Sequence, residues 1–330
     1  MSRAGRPGSV RVGIIGAGIA GERHAAAFGA HPDAIVAAVV DVDPERGRPL
    51  AARFGAAWFA DYRDAFAHGI DAAVVCLPHA LHAGCALEAA RAKIHLLLEK
   101  PIANTIEDAH RIVDAAGAAD TRLMIGYVHR FRPEVQAARE LIRAGRLGRP
   151  ATALDRFISG GMRDTPGWVW DRSLAGGGVV MYGGVHAIDR LRWLLDDEIT
   201  EVYARSSTYS NAADVEDGLC AVLTFASGAT AVLYENAPGY GRLGPWTTEV
   251  FGSEGALIIT TGASVECRTA RGAERQTYSE DRRFERQAEE FLGAIRERRR
   301  PSVDGYDGIR GLEVALALYR SARSGRPAPV

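Results

Sequence analysis

The sequence predicts an α/β protein with two domains: a doubly wound parallel sheet over residues 1–126, and an α+β domain with a mainly antiparallel open sheet over residues 127–330. Three observations support this fold class. The chain of 330 residues is about twice as long as a usual single domain. Its first part alternates short apolar runs with helical stretches, and its later part is rich in strands joined by short turns.

The first 126 residues repeat one pattern, in which a β-branched apolar run is followed by a turn and an alanine-rich helical stretch. Near-continuous apolar strands that alternate with helices indicate a parallel sheet covered on both faces, and right-handed crossovers make it doubly wound. The predicted strands are Val10–Ile15, Ile35–Asp41, Ala72–Cys76, Ile94–Leu98 and Leu123–Gly126. The predicted helices are Ile19–Gly29, Pro44–Phe54, Leu81–Arg91 and Ile106–Ala118.

The pattern changes in the second domain, where a helix at Pro133–Arg143 and a turn at Gly145–Pro150 precede a series of strands. Short turns such as Ser227-Gly228 join several of these strands, which indicates hairpins and therefore antiparallel pairing. The predicted strands are Val202–Ser210, Gly218–Phe225, Thr230–Asn236, Thr247–Gly252 and Ala256–Thr260. Two predicted helices, Arg282–Arg298 and Ile309–Arg323, close the chain.

Composition excludes several classes of protein. A chain that is 47% hydrophobic is typical of a globular protein rather than a disordered one, and 40 basic against 41 acidic residues leave no positive surplus for binding nucleic acid. No apolar run reaches the roughly 18 residues of a membrane span, and Met1–Ser9 has no apolar export signal. Four scattered cysteines (Cys76, Cys85, Cys220, Cys267) have no metal-ligand spacing. We therefore expect no metal site, no membrane partner, and buried thiols in a cytoplasmic protein.

A glycine-rich turn predicts a dinucleotide site. Gly16-Ala17-Gly18-Ile19-Ala20-Gly21 directly follows the first predicted strand and opens the first helix, and Asp41 ends the next strand 20 residues beyond Gly21. In this pattern Gly16 permits the tight turn, Gly18 lets the backbone approach a pyrophosphate, and Gly21 lets helix and strand pack closely. The free N–H groups at the helix start, including those near Ile19 and Ala20, suit the phosphates.

Two further features complete the predicted cofactor site. The carboxylate of Asp41 can accept both ribose hydroxyls and would repel a 2′-phosphate, which favours NAD over NADP, although Arg46 could still meet such a phosphate. Leu77 and Pro78 follow the strand that ends at Cys76, at the carboxyl edge that faces the ligand crevice. His82 lies just beyond and is expected either to contact the cofactor or to cap the next helix.

Lysine is rare in this chain, and one of the two lysines stands at a strand end. Of the 40 basic residues only Lys93 and Lys100 are lysines. Glu99-Lys100-Pro101 follows the apolar run Ile94–Leu98 at the same carboxyl edge. A lysine can change its pKa and transfer a proton, whereas an arginine stays protonated. We expect Glu99 and Lys100 to border the cofactor, with Lys100 bound to the substrate oxygen and the nicotinamide ribose; the alternative is a structural ion pair at the strand end.

A second group of candidate catalytic residues lies in Gly176–Asp189. This segment begins with three glycines and contains His186, the only histidine of the sequence after position 129. Glycines let the backbone approach a ligand closely. Tyr182, His186 and Asp189 share one face if the segment is helical. Histidine titrates near neutral pH and suits the transfer of a hydroxyl proton as hydride leaves. Asp189 either orients His186 or pairs with Arg192.

Together these residues are similar to those of the glucose–fructose oxidoreductase / inositol 2-dehydrogenase / rhizopine-catabolism (Gfo/Idh/MocA) family. The resemblance covers nearly the whole chain and rests on a combination of motifs. They are the glycine-rich turn, Glu99-Lys100-Pro101, Tyr127-Val128-His129-Arg130-Phe131, the Gly176–Asp189 cluster and the closing helix that ends at Ser321–Gly325. The resemblance implies a Rossmann domain, an NAD(P)-dependent oxidoreductase acting on a sugar, cyclitol or sugar derivative, and a homodimer or homotetramer.

The resemblance also implies roles for single residues. Lys100 would position the substrate and relay a proton, and His186 would be the general acid/base. The family usually has aspartate four residues before that histidine, where this chain has Tyr182; a phenol can act as an alternative acid or stack on the sugar ring. His129 and Trp168 are further expected substrate contacts, with Asp189. Two other functions stay open: redox-assisted elimination with retained NAD, and a non-catalytic nucleotide or sugar sensor.

Overall fold

The computed structural model describes residues 8–161, 165–210 and 213–330. The chain forms two compact units. The first comprises the residues up to Val128 together with Phe284–Ile309, and the second comprises His129–Arg283 together with Arg310–Val330. The sequence-based boundary at residue 126 lies close to the first crossing, but it assigned 284–309 to the second domain, whereas this segment belongs to the first unit.

The first unit is built on a parallel sheet. Its strands are β1 (Val10–Ile15), β2 (Ala34–Val40), β3 (Ala57–Phe59), β4 (Ala72–Val75), β5 (His95–Leu98) and β6 (Leu123–Ile125). Its first five helices are α1 (Ile19–Ala30), α2 (Pro44–Phe54), α3 (Tyr62–Ala67), α4 (His82–Arg91) and α5 (Ile106–Ala118). The strand order is β3-β2-β1-β4-β5-β6 with parallel pairing throughout. The predicted doubly wound Rossmann sheet is confirmed.

The strand order places a ligand crevice at one edge of this sheet. The order runs in opposite directions on the two sides of the β1–β4 pair, and doubly wound sheets bind ligands at the carboxyl ends of such a pair. Gly16 follows β1 and Cys76 follows β4, and the N–H of Cys76 donates to the carbonyl of Ile15 at 2.7 Å. The glycine-rich turn and the Leu77-Pro78 segment therefore lie at the same edge.

The sequence reading missed β3 and α3. A three-residue strand has no measurable periodicity, and all three residues of β3 are only half-buried. Trp58 of β3 nevertheless has a structural role, because the guanidinium of Arg48 lies 4.6 Å from its ring centroid. A Cβ atom on Gly47 would come within 2.3 Å of the Trp58 indole nitrogen, so α2 and β3 pack closely.

The second unit is built on a nine-stranded sheet. Its strands are β7 (Pro150–Ile158), β8 (Ile199–Ser207), β9 (Gly218–Phe225), β10 (Thr230–Asn236), β11 (Thr247–Gly252), β12 (Gly255–Thr260), β13 (Ser264–Thr269), β14 (Gly272–Thr277) and β15 (Ala328–Pro329). The remaining helices of the chain are α6 (Pro133–Arg143), α7 (Arg172–Ala175), α8 (Val185–Leu195), α9 (Arg283–Arg296) and α10 (Gly305–Ser324). The strand order is β14-β13-β12-β11-β7-β10-β9-β8-β15, and among the described strands only β7 and β10 pair in parallel. The predicted mainly antiparallel sheet is confirmed.

The sequence reading missed β7, β13, β14 and β15. The central strand β7 contains the adjacent charged residues Asp155 and Arg156, which interrupt an apolar pattern. Asp155 is nevertheless fully buried, because Arg190 of α8 neutralises it at 2.8 Å. Every residue of β14 is exposed, so this edge strand has no buried face to mark it.

The two faces of this sheet differ in exposure. Strand β9 alternates buried and exposed residues along most of its length, which is the period-2 pattern of a strand with one covered face. The inner face packs against α6, α8 and α10. The other face, called the outer face below, exposes Tyr203, Val222, Val232, Tyr234 and Phe251.

The cysteines are only partly buried. All four are free thiols; Cys85 and Cys267 are buried and Cys76 is half-buried, but Cys220 is exposed. The expectation that all four are buried was therefore wrong for Cys220, which occupies an outward-pointing position of β9.

Helix α9 belongs to the first unit because its aromatic residues pack there. Phe291 meets Phe28 of α1 edge to face with ring centroids 6.3 Å apart, and Phe284 meets the His24 ring at 5.0 Å. The N–H of Ile125 donates to the carbonyl of Val303 at 3.0 Å, beyond the end of α9. Periodicity predicts that this helix has an apolar face but not which partner that face meets. Across the described ranges, no helix combines the length and apolar character that a bilayer span requires.

Candidate functional site

The glycine-rich turn has the geometry that a dinucleotide requires. Gly16 has φ of +102°, and a Cβ there would meet the Cys76 carbonyl oxygen at 2.5 Å. A Cβ on Gly21 would come within 1.9 Å of the Gly16 carbonyl oxygen, so only glycine lets α1 pack on the turn. Gly18 differs, because a Cβ there meets nothing within 4 Å. The open space at Gly18 leaves room for an external group.

The start of α1 is also open to a ligand. Gly18 is the N-cap of α1 and provides no side-chain cap, and Ile19 is 52% exposed. The first N–H groups of a helix lack partners within the helix, and they attract anions. Ala20 follows in the same turn. These residues fit the phosphates of a dinucleotide.

Asp41 is held by the backbone around this turn. One carboxylate oxygen accepts a hydrogen bond from the N–H of Ala17 at 2.9 Å, and the other accepts from the N–H of Asp43 at 2.9 Å. Asp43 is the N-cap of α2 and accepts from the N–H of Glu45. Arg46 contacts Asp41 at 3.4 Å and Asp43 at 3.0 Å while its side chain stays 57% exposed. Asp41 thus presents a carboxylate beside the turn.

His82 is a structural link behind the Leu77-Pro78 segment. It is fully buried, and its two ring nitrogens lie 3.0 Å from the Leu77 carbonyl oxygen and 2.9 Å from the Pro101 carbonyl oxygen. Burial lowers the pKa of His82, although the two carbonyls oppose that shift. The His82 ring therefore connects the loop after β4 to the loop after β5, and it supports the Leu77-Pro78 segment.

Glu99 and Lys100 follow β5 at the same edge, and a buried histidine holds Glu99. The carboxylate of Glu99 lies 2.9 Å from Nε2 of His24, and it accepts from the N–H of Lys100 at 3.2 Å. Burial by itself would raise the pKa of Glu99, but the hydrogen bond from His24 and the charge of Lys100 outweigh burial and lower it. The sequence did not suggest this contact, because the spacing of His24 from Glu99 carries no local signal.

The surroundings of Lys100 lower its pKa. Burial lowers the pKa of its ammonium group, and the negative charge of Glu99 partly opposes this shift. A lysine whose pKa is lowered transfers its proton more readily near neutral pH. A Cβ on Gly126 of the next loop would lie 2.9 Å from the Glu99 carboxyl carbon, so the approach of that loop requires glycine.

In the second unit, His186 stacks on His129. His186 is the second residue of α8, and its ring lies 4.3 Å from the His129 ring with the planes 10° apart. Trp246 packs edge-on against His129 at 4.7 Å. The structure therefore brings together two predicted site residues that are distant in sequence, and it adds Trp246, which sequence reasoning missed.

Tyr182 precedes α8 in a short π-helical turn, Val180–Gly184. The sequence argument for a common face assumed α-helical spacing from Tyr182 onward, which holds only from Val185. Tyr182 is half-buried and lines a small recess with Trp170 and Glu235, among other residues. Trp168 is half-buried, whereas Trp170 is the tryptophan of this segment that lines the recess.

Asp189 is held by an arginine that the sequence did not suggest. Arg130 donates to both of its carboxylate oxygens, at 2.9 and 2.5 Å, and the pair is buried. Arg192, the pairing partner considered from sequence, donates to Glu198 at 2.6 and 2.8 Å.

The triple glycine serves packing inside the protein. A Cβ on Gly177 would lie 1.9 Å from the Tyr319 hydroxyl, and one on Gly178 would lie 1.8 Å from the Glu216 carbonyl oxygen. The Glu216 carboxylate accepts from the N–H groups of Gly178 and Val180 at 3.0 and 3.1 Å, and from the Tyr319 hydroxyl at 2.8 Å. Gly177 and Gly178 therefore admit the Tyr319 side chain and the Glu216 backbone, whose contacts fix the turn before α8.

Family models match both parts of the chain. The model described as "Oxidoreductase family, NAD-binding Rossmann fold" matches residues 10–127, and the GFO/IDH/MocA C-terminal domain matches residues 135–258.

Named relatives extend the match over most of the chain. A 1,5-anhydro-D-fructose reductase of Ensifer adhaerens is 33% identical, covering 79% of this chain and 80% of its own. Inositol 2-dehydrogenase 1 of Saccharopolyspora erythraea is 32% identical and covers 98% and 96%. Among solved structures, GenD2 from gentamicin A biosynthesis, in complex with NAD, has a TM-score of 0.88 at 28% identity and covers 100% and 99%. The chain is an oxidoreductase with an NAD-binding Rossmann domain, and it belongs to the Gfo/Idh/MocA family.

The two glycines at the cofactor turn provide a matched test of this geometry. We expect Gly21→Ala to lower the free energy of unfolding by about 2 kcal/mol or more, because the methyl group would collide with the Gly16 carbonyl. Gly18→Ala should leave stability unchanged, because its methyl group meets no protein atom, but it should weaken NAD binding at least tenfold. Urea unfolding and calorimetric NAD titration measure the two effects; unaltered NAD affinity in Gly18→Ala would contradict the assignment of the open space.

Proposed function

We propose that this protein is an NAD-dependent dehydrogenase or reductase that transfers hydride to or from a secondary alcohol or ketone carbon of a sugar, a cyclitol or a sugar derivative. The observation that carries the proposal is Lys100, a half-buried lysine with a lowered pKa at the edge of the sheet that also carries the glycine-rich turn. The substrate class is supported by the names of the relatives, which act on an anhydrosugar and on inositol.

The residues of the first unit fit the cofactor. Gly16–Gly21 would hold the pyrophosphate and Asp41 the ribose hydroxyls, with Arg46 at the exposed side. Leu77 and Pro78 would line the crevice, with His82 supporting them from behind. Glu99 and Lys100 would border the nicotinamide end. NAD supplies the chemistry of accepting hydride in oxidation and returning it in reduction.

The proton is handled by Lys100 and His186 in this proposal. The ammonium of Lys100 donates a hydrogen bond to the substrate oxygen and stabilises the negative charge that develops on it. The imidazole of His186 takes the hydroxyl proton in oxidation and returns it in reduction, since histidine titrates near neutral pH. The stacked ring of His129 restricts the orientation of His186.

Four residues of the second unit are the proposed substrate contacts. Tyr182 and Trp168 offer a phenol and an aromatic face to a sugar ring, and His129 offers a polar ring beside His186. Asp189 is the fourth, and its carboxylate is already engaged by Arg130. We therefore propose that it positions the helix that bears His186 as well as contacting the substrate.

Substitution of the two proposed proton-handling residues tests the reaction. Lys100→Met and His186→Ala should each lower kcat by about 10²–10⁴-fold, because each removes a group that acts on the transferred proton. Lys93→Met replaces the other lysine of the chain and should leave turnover unchanged. The measurement is nicotinamide absorbance with NAD and a panel of inositols, pyranoses and sugar acids. Absence of turnover in the wild type, with NAD retained on the purified protein, would instead favour elimination or sensing.

Asp41 should decide the preference for NAD over NADP. Asp41→Asn keeps an oxygen for the Ala17 N–H but removes the charge that would repel a 2′-phosphate. We expect kcat/KM for NADP to rise about tenfold or more while that for NAD falls, which corresponds to at least about 1.4 kcal/mol of discrimination. Initial rates with both cofactors measure this ratio. An unchanged ratio would place the discrimination at Arg46 or elsewhere.

We also propose that the protein is a homodimer or homotetramer in the cytoplasm, with a second copy of the chain on the outer face of the large sheet. The face exposes Tyr203, Val222, Val232, Tyr234 and Phe251 together, and apolar patches of this kind mark interaction sites. Val222→Asp together with Val232→Asp should convert the oligomer to a smaller species, measured by light scattering after gel filtration. An unchanged mass would exclude this face. Cell fractionation would test the location.

A further inference from the structure

Glu235 is a buried carboxyl group without a hydrogen-bond partner. It lies on the inner face of β10 with no exposure to solvent. Neither of its two carboxylate oxygens has a partner within the part of the chain that the structure describes. A buried polar group that is left unpaired costs about 1–3 kcal/mol of stability, so such a group in a native site calls for a functional explanation.

The surroundings of Glu235 raise its pKa. Burial raises the pKa of Glu235 well above its usual value, and the negative charge of Asp155 on β7 raises it further. Arg190 of α8 opposes the shift, but its guanidinium is already bound to Asp155 at 2.8 Å and to the Thr261 hydroxyl at 3.0 Å. From the π-helical turn, the phenol of Tyr182 faces the same recess. Burial and the charge of Asp155 therefore favour the uncharged form of the carboxyl group.

Glu235 opens onto the recess beneath Tyr182. A Cβ on Gly183 would lie 3.1 Å from a Glu235 carboxylate oxygen, which places that oxygen directly beside the π-helical turn. The walls of the recess are largely apolar, formed by Phe157, Val169 and Trp170 among others. The space for a water-sized group is about 10 Å³, which is roughly one water molecule. The recess can therefore admit one oxygen, either that of a water or that of one hydroxyl.

We propose that Glu235 is a specificity-determining residue: an uncharged carboxylic acid that binds one hydroxyl group of the substrate in the recess beneath Tyr182. This inference rests on the proposed function and deepens it. A carboxylic acid donates one hydrogen bond and accepts another, and an alcohol does the same, so the two groups pair reciprocally. The negative charge of Asp155 would repel an anionic group. An ammonium or a bulky group would be too large for the recess. The site therefore selects a neutral polyol with a hydroxyl at this position.

Two substitutions separate recognition from folding. Glu235→Gln keeps an uncharged donor and acceptor in nearly the same shape. Glu235→Leu removes both the donor and the acceptor and fills the site with apolar atoms. Because the carboxyl group is buried and unpaired, this exchange should cost little folding stability. Glu201→Leu makes the same exchange at an exposed position of β8 in the same sheet and serves as the control.

The kinetic experiment compares a polyol with its monodeoxy analogues. The probes are myo-inositol, levoglucosan and 1,5-anhydro-D-fructose, followed by the monodeoxy analogues of the one that is turned over. In the wild type, Glu235→Gln and Glu201→Leu, removal of one particular hydroxyl should raise KM about 10–100-fold with kcat altered much less. In Glu235→Leu the parent and that analogue should have equal KM. Retention of the wild-type pattern in Glu235→Leu would overturn the proposal.

A second experiment tests the uncharged state without any turnover. Because the pKa of folded Glu235 is raised, ionisation in the unfolded chain lowers the stability of the wild type as pH rises from about 4.5 toward the folded-state value. Glu235→Gln escapes this loss. Its Tm should match that of the wild type near pH 4 and exceed it by about 2 °C or more at pH 8. If the Tm difference between Glu235→Gln and the wild type does not change with pH, the proposal that Glu235 is uncharged is overturned.

The two experiments distinguish an error in the proposed function from an error in the role proposed for Glu235. If the wild type turns over none of the probes, the proposed function is in error, while the pH dependence of Tm still decides the state of Glu235. If, in addition, none of the probes raises the Tm of the wild type in the presence of NAD, the assignment of a hydroxyl subsite is overturned as well. Turnover together with an unaltered Glu235→Leu pattern overturns only the role of Glu235.

Discussion

The buried carboxylate of Glu99 is the constraint on which the cofactor edge depends. A carboxylate at the end of a central strand has lost most of its hydration, so it must be satisfied by hydrogen bonds or opposite charge. His24 reaches it from α1 and the Lys100 N–H from the adjoining residue. Gly126 leaves it the necessary space. The same contacts connect α1, which follows the glycine-rich turn, to the segment after β5 that contains Lys100.

The second unit follows the same physical rule with different partners. Asp155 is satisfied by Arg190, Trp246 and Thr248, with distances of 2.6 to 2.8 Å, and Asp189 is satisfied by Arg130. These buried pairs hold α8 on the sheet and so fix the helix that carries His186. Glu235 differs from these carboxylates, since neither of its oxygens has a hydrogen-bond partner among the described residues and its pKa is raised by burial. The paired carboxylates Asp155 and Asp189 stabilise the structure, whereas the unpaired carboxyl of Glu235 is suited to a ligand.

The sequence by itself determined the fold class, the cofactor turn and the family. Strand and helix periodicities, Gly16 to Gly21 and Glu99-Lys100-Pro101 are local patterns, because each depends on residues adjacent in the chain or one helical turn apart. The bounds of α2, α5, α6, β1 and β9 to β11 agree with the predicted segments. Adjacent residues that share one element carry their own structural signal, so these features could be read without a structure.

The tertiary structure alone decided which distant residues meet. It pairs His24 with Glu99 and Arg130 with Asp189, and it packs Glu216 and Tyr319 against the triple glycine. It also places α9 in the first unit. It also revealed Asp155 as a buried ion-pair residue and Glu235 as an unpaired acid, although both stand as ordinary charged residues in the sequence. Burial and partner choice depend on contacts between segments far apart in the chain, and no local pattern records those contacts.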